Sequence, residues 1–306
     1  MSRIHEALKK AEQERAATQG GGPQSGINVA PAADAPVYSS AAVEVLPHPA
    51  LGPDLTASYS PDAMLARCPQ MEWKPDLATM LFMNGNDNAK GAEEYRTLRS
   101  RLYHLREKMT LKTLLITSAL PQEGKSFTAS NLAQVLVRQH GRRVVLIDAD
   151  LRGPRLHLML GTTAGPGLSE YLQGKNDEFS IMQRGPVENL FFIPSGGSIE
   201  NPAELVGNER LKLLVQRLGT LFDWIIVDSP PAVPLADASL VANACDGVLM
   251  VVRANATPAD VARKARLEFP DQALIGVVLN GTSRESVPYA RYYYDAYPTY
   301  GTTTKA

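Results

Sequence analysis

Gly124, Lys125 and Ser126 close the stretch SALPQEGKS, a short loop between an apolar run and a helical pattern. A glycine, a cation and a hydroxyl in that order suit the handling of a phosphate chain. The glycine lets the backbone approach closely, the lysine reaches the β- and γ-phosphates, and the serine hydroxyl suits Mg²⁺. Loop N–H groups and the positive end of the following helix add to the cradle. Gln122, Glu123 and Phe127 flank the triplet and belong to the same predicted contact set. The strict pattern GxxxxGK[ST] begins with a glycine, and Ala119 stands in that place. Two further apolar runs end in carboxylates: VVLIDADLR carries Asp148 and Asp150, and WIIVDSPP carries Asp228. In a parallel sheet such ends share an edge with the loop, where ligands bind. Mg²⁺ prefers oxygen ligands and keeps several waters, so carboxylates near Ser126 suit it. Any one of these aspartates is readily a helix cap or turn residue, but three at strand ends beside GKS point to binding of a nucleotide such as ATP with Mg²⁺.

The elements that must position these groups are also visible. LKTLLITS, RRVVLIDAD, NLFFIPS, FDWIIVDSP, DGVLMVVRA and ALIGVVLNG read as short apolar strands. SFTASNLAQVLVRQHG reads as a helix ending at Gly141, and further helices are predicted over Pro202–Leu218, Leu235–Ala244 and Pro258–Leu267. Apolar strands alternating with helices imply an α/β fold of P-loop NTPase type, with a mostly parallel sheet covered on both faces. The expected organisation has four zones. Residues 1–17 form an amphipathic helix with Ile4, Leu8 and Ala11 on one stripe, suited to docking on a partner. Residues 18–90, rich in Pro, Ala and Gly, form a mostly disordered linker. The less polar part around Met71, Trp73, Leu77, Met80, Leu81 and Phe82 is expected to pack on the folded domain, which spans residues 91–284. Residues 285–306 form a disordered tyrosine-rich tail.

Composition excludes several classes. A net charge of −1 is a poor match for nucleic acid, which demands a basic face. The two cysteines, Cys68 and Cys245, lie far from each other and from any metal-ligand spacing, so neither a disulfide framework nor a zinc site is expected. No apolar run reaches membrane-spanning length, and MSRIHEALKKAEQER lacks a signal-peptide hydrophobic region. A cytoplasmic location is the expectation.

The paired aspartates of IDADLR, together with IIVDSPP, resemble the bacterial tyrosine autokinases (BY-kinases) of capsule and exopolysaccharide synthesis. EEYRTLRSRL, GLSEYLQGK, PSGGSIENPAEL and DGVLMVVRANATPADV add to the resemblance, which covers roughly residues 91–300. The N-terminal MSRIHEALKKAEQER resembles the soluble, exosortase (XrtA)-associated subgroup. The rival is a MinD/ParA-like partitioning ATPase switch acting with a membrane partner. Those proteins carry an early lysine, KGGxGK[ST], where this chain has Leu120 followed by Pro121.

The resemblance implies an ATP-dependent kinase that phosphorylates its own tail. Lys125, Asp148, Asp150 and Asp228 would be the catalytic set, with Asp148 receiving the tyrosine proton or orienting the hydroxyl. Ser126 would hold Mg²⁺, with Asp150 and Asp228 holding it directly or through water; Arg152 would contact phosphate or form a surface salt bridge, and Asn280 would read adenine or serve the Asn280–Gly281 turn. Tyr289, Tyr292, Tyr293, Tyr294, Tyr297 and Tyr300 would be the acceptors. The ExxRxxR pattern of Glu93, Arg96 and Arg99 implies contacts in a ring of identical subunits, one subunit's tail entering its neighbour's site. The implied partners are the chain itself, a membrane-embedded polysaccharide chain-length (co-polymerase) protein that recruits it to the inner face of the membrane, and a tyrosine phosphatase.

Overall fold

The computed structural model describes residues 60–83, 91–139 and 141–282, all within one compact unit that starts at Gly52. The amphipathic stripe of residues 1–17, most of the linker and the tail tyrosines lie outside the described residues.

Seven strands form one sheet: β1 (Thr113–Ser118), β2 (Val144–Asp148), β3 (Gln183–Arg184), β4 (Leu190–Ile193), β5 (Trp224–Asp228), β6 (Gly247–Arg253) and β7 (Leu274–Asn280). Their order is β3-β4-β2-β5-β1-β6-β7. Every pairing is parallel except β3 with β4. The central strands are apolar on both faces because helices cover both faces. Successive side chains alternate sides, so Leu114 and Ile116 enter one core with Leu146, Trp224 and Ile226, while Leu115 enters the other with Val145, Ile147, Ile225 and Val227. Each such buried side chain contributes roughly 1.5–3 kcal/mol relative to exposure. The helix Lys125–Val137 lies on the first face through Leu132 and Leu136. On the other face stand Leu168–Leu172, Glu209–Leu218, Asp237–Ala242 and Ala259–Leu267.

Two departures from the sequence-based expectation have clear causes. The helix expected over Pro202–Leu218 is two, Pro202–Val206 and Glu209–Leu218. The break falls at Gly207–Asn208, where the Asn208 side chain accepts from Arg210 N (3.0 Å) and caps the second helix. Residues 60–83, read within the mostly disordered linker, belong to the fold, and the less polar part around residues 71–82 packs on the domain in line with the sequence reading. Trp73, Met80 and Phe82 are buried in the core beside the P-loop helix. Two amides of that helix hold the backbone: Asn131 accepts from Leu81 N (2.8 Å) and donates to Thr79 O (2.8 Å), and Gln134 accepts from Phe82 N (3.3 Å). The two-residue strand β3 and the short helices Leu156–Leu160 and Leu168–Leu172 are not anticipated by the sequence pattern.

Candidate nucleotide and phosphoryl-transfer site

β1, β5 and β2 lie side by side, so their carboxyl ends meet at one edge. Asp148 and Asp228 are direct register partners across β2 and β5, and Ile116 of β1 is level with Asp228. The chain leaves β1 at Ser118 and enters the Lys125 helix through a loop whose backbone is demanding. Gln122 has φ 65 and Gly124 φ 97, both in the left-handed region that favours glycine. A Cβ on Gly124 would also collide with the Asn280 side-chain nitrogen.

The loop is held from the far side of β1 by the ends of β6 and β7. The Glu123 carboxylate turns inward, accepting from Leu120 N (2.9 Å) and from the Thr257 hydroxyl. The Glu123 carbonyl accepts from Asn280 Nδ2 (2.9 Å), and the Gln122 carbonyl from the Arg253 guanidinium (3.3 Å). Glu123 is only 3% exposed.

Below the loop lies a buried ionic cluster. Lys125 Nζ is 2.7 Å from Asp150 Oδ2, 3.3 Å from Ser126 Oγ and 3.7 Å from Asp228 Oδ2. The Ser126 hydroxyl donates to Asp228 Oδ2 (2.6 Å). Asp150 Oδ1 accepts from Gly153 N (3.0 Å). Asp148 accepts from Asp150 N (3.2 Å) and Leu156 N (3.1 Å). Asp228 Oδ1 is buried without a hydrogen-bond partner. Burial, above all, pushes the Asp228 carboxyl up to about 6, against the pull of Lys125 and Ser126. Burial and the nearby Asp228 charge hold Asp148 well above the usual carboxylate range. Burial pulls the Lys125 ammonium down, but Asp228 and Asp150 outweigh it and keep the group above its ordinary value. One cation thus faces three carboxylates, an arrangement short of positive charge. The Ser126 hydroxyl, Asp150 and Asp228, with an oxygen lacking any donor, form a hard-oxygen set that fits Mg²⁺.

Phe127 packs against Tyr95 (ring centroids 6.2 Å). Arg152 forms a two-pronged pair with buried Asp237 (2.8 and 3.1 Å), the salt-bridge alternative to phosphate contact. Asn280 lies over the loop, bonded to its backbone. Glu93 and Arg96 pair with each other along their helix (2.9 Å), while Arg99 donates to Val135 O (3.0 Å) near the end of the P-loop helix. Sequence reasoning misses Thr257, Arg253 and Asp237. They act through partners over 80 residues away in sequence, and no local spacing marks them. A cleft of about 260 Å³ lined by Asp62, Gln70, Arg143 and Arg184 lies by the amino ends of β2 and β4, away from this cluster. Among the described residues no helix is long and apolar enough to cross a membrane.

A loop of this form between β1 and a helix, with carboxylates at the ends of adjacent parallel strands, defines a P-loop NTPase. The ParA family model, described as NUBPL iron-transfer P-loop NTPase, matches residues 110–284. Tyrosine-protein kinase YwqD of Bacillus subtilis is 36% identical over 192 residues, 62% of this chain and 81% of that one. Tyrosine-protein kinase Wzc of Salmonella typhimurium is 31% identical over 221 residues, 72% of this chain but 31% of the relative. Among solved structures, the kinase domain of the Escherichia coli tyrosine kinase ETK matches with TM-score 0.61 and 32% identity, covering 64% of this chain and 78% of that one. The chain belongs to the bacterial tyrosine-kinase (BY-kinase) family of P-loop proteins found in capsule and exopolysaccharide systems.

Proposed function

We propose that this chain is an ATP-dependent protein-tyrosine autokinase whose acceptors are Tyr289, Tyr292, Tyr293, Tyr294, Tyr297 and Tyr300. The observation that carries the reading is the convergence of Lys125, Ser126, Asp148, Asp150 and Asp228 at one sheet edge beneath a phosphate-shaped loop. Phosphoryl transfer relies on positioning and charge neutralisation. Lys125 exchanges its carboxylate partners for phosphate oxygens and balances charge on the leaving β-phosphate. Ser126, Asp150 and Asp228 would hold Mg²⁺, which neutralises phosphate charge when bound. Among the described residues no group of three His, Cys, Asp or Glu side chains could hold a metal ion by itself, so the serine, water and phosphate would complete the shell.

The tyrosine oxygen forms a bond to the γ-phosphorus as the bond to the β–γ bridging oxygen breaks, and ADP leaves. The hydroxyl proton passes to Asp148. Burial and the nearby Asp228 charge hold the Asp148 carboxyl well above its usual range, so its ionised form is a stronger base for that proton than an exposed aspartate. A tyrosine cluster gives the site several acceptors, and each phosphate adds about −1.5 to −2 charge, so full modification would drive the tail from an acidic site. Transfer in trans within a ring, control of polysaccharide polymerisation and export through a membrane chain-length partner, and reversal by a tyrosine phosphatase complete the proposal. It also includes cytoplasmic residence and membership of the XrtA-associated subgroup. The resemblance at EEYRTLRSRL and MSRIHEALKKAEQER supports these parts.

The experiment is incubation of the purified chain with Mg-ATP, followed by intact mass and phosphotyrosine mapping. Lys125→Met and a tail with every tyrosine changed to phenylalanine are the controls. Phosphate on the tail, absent from Lys125→Met, is the expected result. The match to the ParA model favours one second reading, an ATP-driven assembly switch. No phosphate even with a partner's cytoplasmic segment, or full cellular activity of the phenylalanine tail, would select it.

A further inference from the structure

We infer that Thr257 is a positioning residue for nucleotide binding, acting through Glu123 on the shape of the phosphate loop. The inference rests on the reading of the loop as a phosphate cradle. The Thr257 oxygen accepts from Arg253 N (3.2 Å), which leaves its single proton to donate to Glu123 Oε1. The other Glu123 oxygen accepts from Leu120 N (2.9 Å). A relay therefore runs from the end of β6, through one hydroxyl and one carboxylate, into the loop backbone at Leu120. Asn280 at the end of β7 holds the carbonyl of the same glutamate.

The loop cannot take this shape through local preference. Gln122 stands at φ 65, a conformation that costs a non-glycine residue of order 1 kcal/mol or more. Something outside the loop must hold it there. The buried Glu123 side chain is one holder, beside Arg253 and Asn280 on the loop carbonyls, and Thr257 bonds its carboxylate. Thr257 itself contacts β6 and Glu123 and lies on no element of the ionic cluster. A merely structural threonine, closing the turn after β6, would need only its bond from Arg253 N. The second bond, into the loop, is what assigns it to the site.

Nucleotide affinity of the full chain, read with a fluorescent ATP analogue and Mg²⁺, tests the inference alongside thermal melting. Thr257→Val keeps the shape, removes the donor and strands the Glu123 oxygen; Thr257→Ser restores the hydroxyl. The valine variant is expected to bind about tenfold more weakly, about 1.4 kcal/mol. Its kcat at saturating ATP should stay within about threefold, and the serine variant should return to wild-type affinity. A Glu123→Ala background should abolish the difference between valine and threonine. A valine variant that binds within twofold of wild type would overturn the inference. So would a serine variant that recovers the melting temperature without the affinity, or a valine effect that survives in Glu123→Ala. A wild-type chain that binds no nucleotide would instead sink the reading of the site itself.

Discussion

The two flanks of the phosphate loop do different work. On the side of β5 and β2, the neighbouring strand ends supply charge: Asp228, Asp148 and Asp150, all buried, around one ammonium. On the side of β6 and β7, they supply shape: Arg253, Thr257 and Asn280 bond to loop carbonyls or to the Glu123 side chain. The contrast teaches that electrostatics and geometry are separable here. Losing the first flank should abolish chemistry without a matching loss of affinity, and losing the second should weaken affinity and leave chemistry.

Substitutions sharpen or break that contrast. Lys125→Met should have the largest effect, lowering autophosphorylation by about 10³-fold or more. It also removes the ammonium that pairs with Asp150 and Asp228. The variant should therefore melt lower than wild type and recover when Mg²⁺ is added without nucleotide, whereas wild type should shift little. A metal-insensitive Lys125→Met would show that the lysine does not stand in for the ion. Asp228→Asn should cost about 10²-fold or more in rate, and its stability should depend on pH in a predictable sense. Folding raises the Asp228 carboxyl to about 6, so its protonated form contributes stability that is present below about pH 4 and is lost as pH rises through about 6. Melting curves of wild type should fall relative to Asp228→Asn across that window, and parallel curves would break the assignment. Gly124→Ala puts a side chain at φ 97 against Asn280. It should weaken nucleotide binding by about 10-fold or more, with the charged cluster untouched. Arg152→Ala should have the smallest effect on chemistry, within about threefold in kcat, while leaving Asp237 buried and unpaired. A melting loss equivalent to about 1–3 kcal/mol is expected. A large rate loss with unchanged melting would return Arg152 to the phosphate-binding role.

The charge-supplying flank is legible in sequence because each member sits at the end of an apolar run, a local pattern. GKS carries its own spacing, and the aspartates of IDAD and IVDS come directly after strands that name themselves. On the shape-supplying flank the sequence marks only Asn280, and for adenine contact or a turn, whereas its amide bonds the loop carbonyl of Glu123. Thr257 is an ordinary threonine before a proline, and its partner lies 134 positions away. The register that joins them is set by β6 packing on β1, which no window of sequence contains. Trp73, Met80 and Phe82 stand out as apolar but sit in a stretch whose composition argues for disorder. The amides Asn131 and Gln134 on the distant P-loop helix hold the backbone around Met80 and Phe82, and Trp73 packs edge-on against Phe192 of β4. Arg152 is open to two roles in sequence because a guanidinium beside paired aspartates suits either. The buried Asp237, itself preceded by nothing distinctive, decides its contact in the structure.

The ammonium of Lys125 already touches the oxygens of Asp150 and Ser126, with Asp228 close by. Loading of this site is therefore a displacement reaction. An arriving triphosphate must detach the lysine from partners that water cannot easily screen, and the observed dissociation constant reports a difference between two strong associations. A modest affinity for ATP would then be the signature of a well-matched resting state. Mutations that weaken the lysine's hold on Asp150 should tighten nucleotide binding.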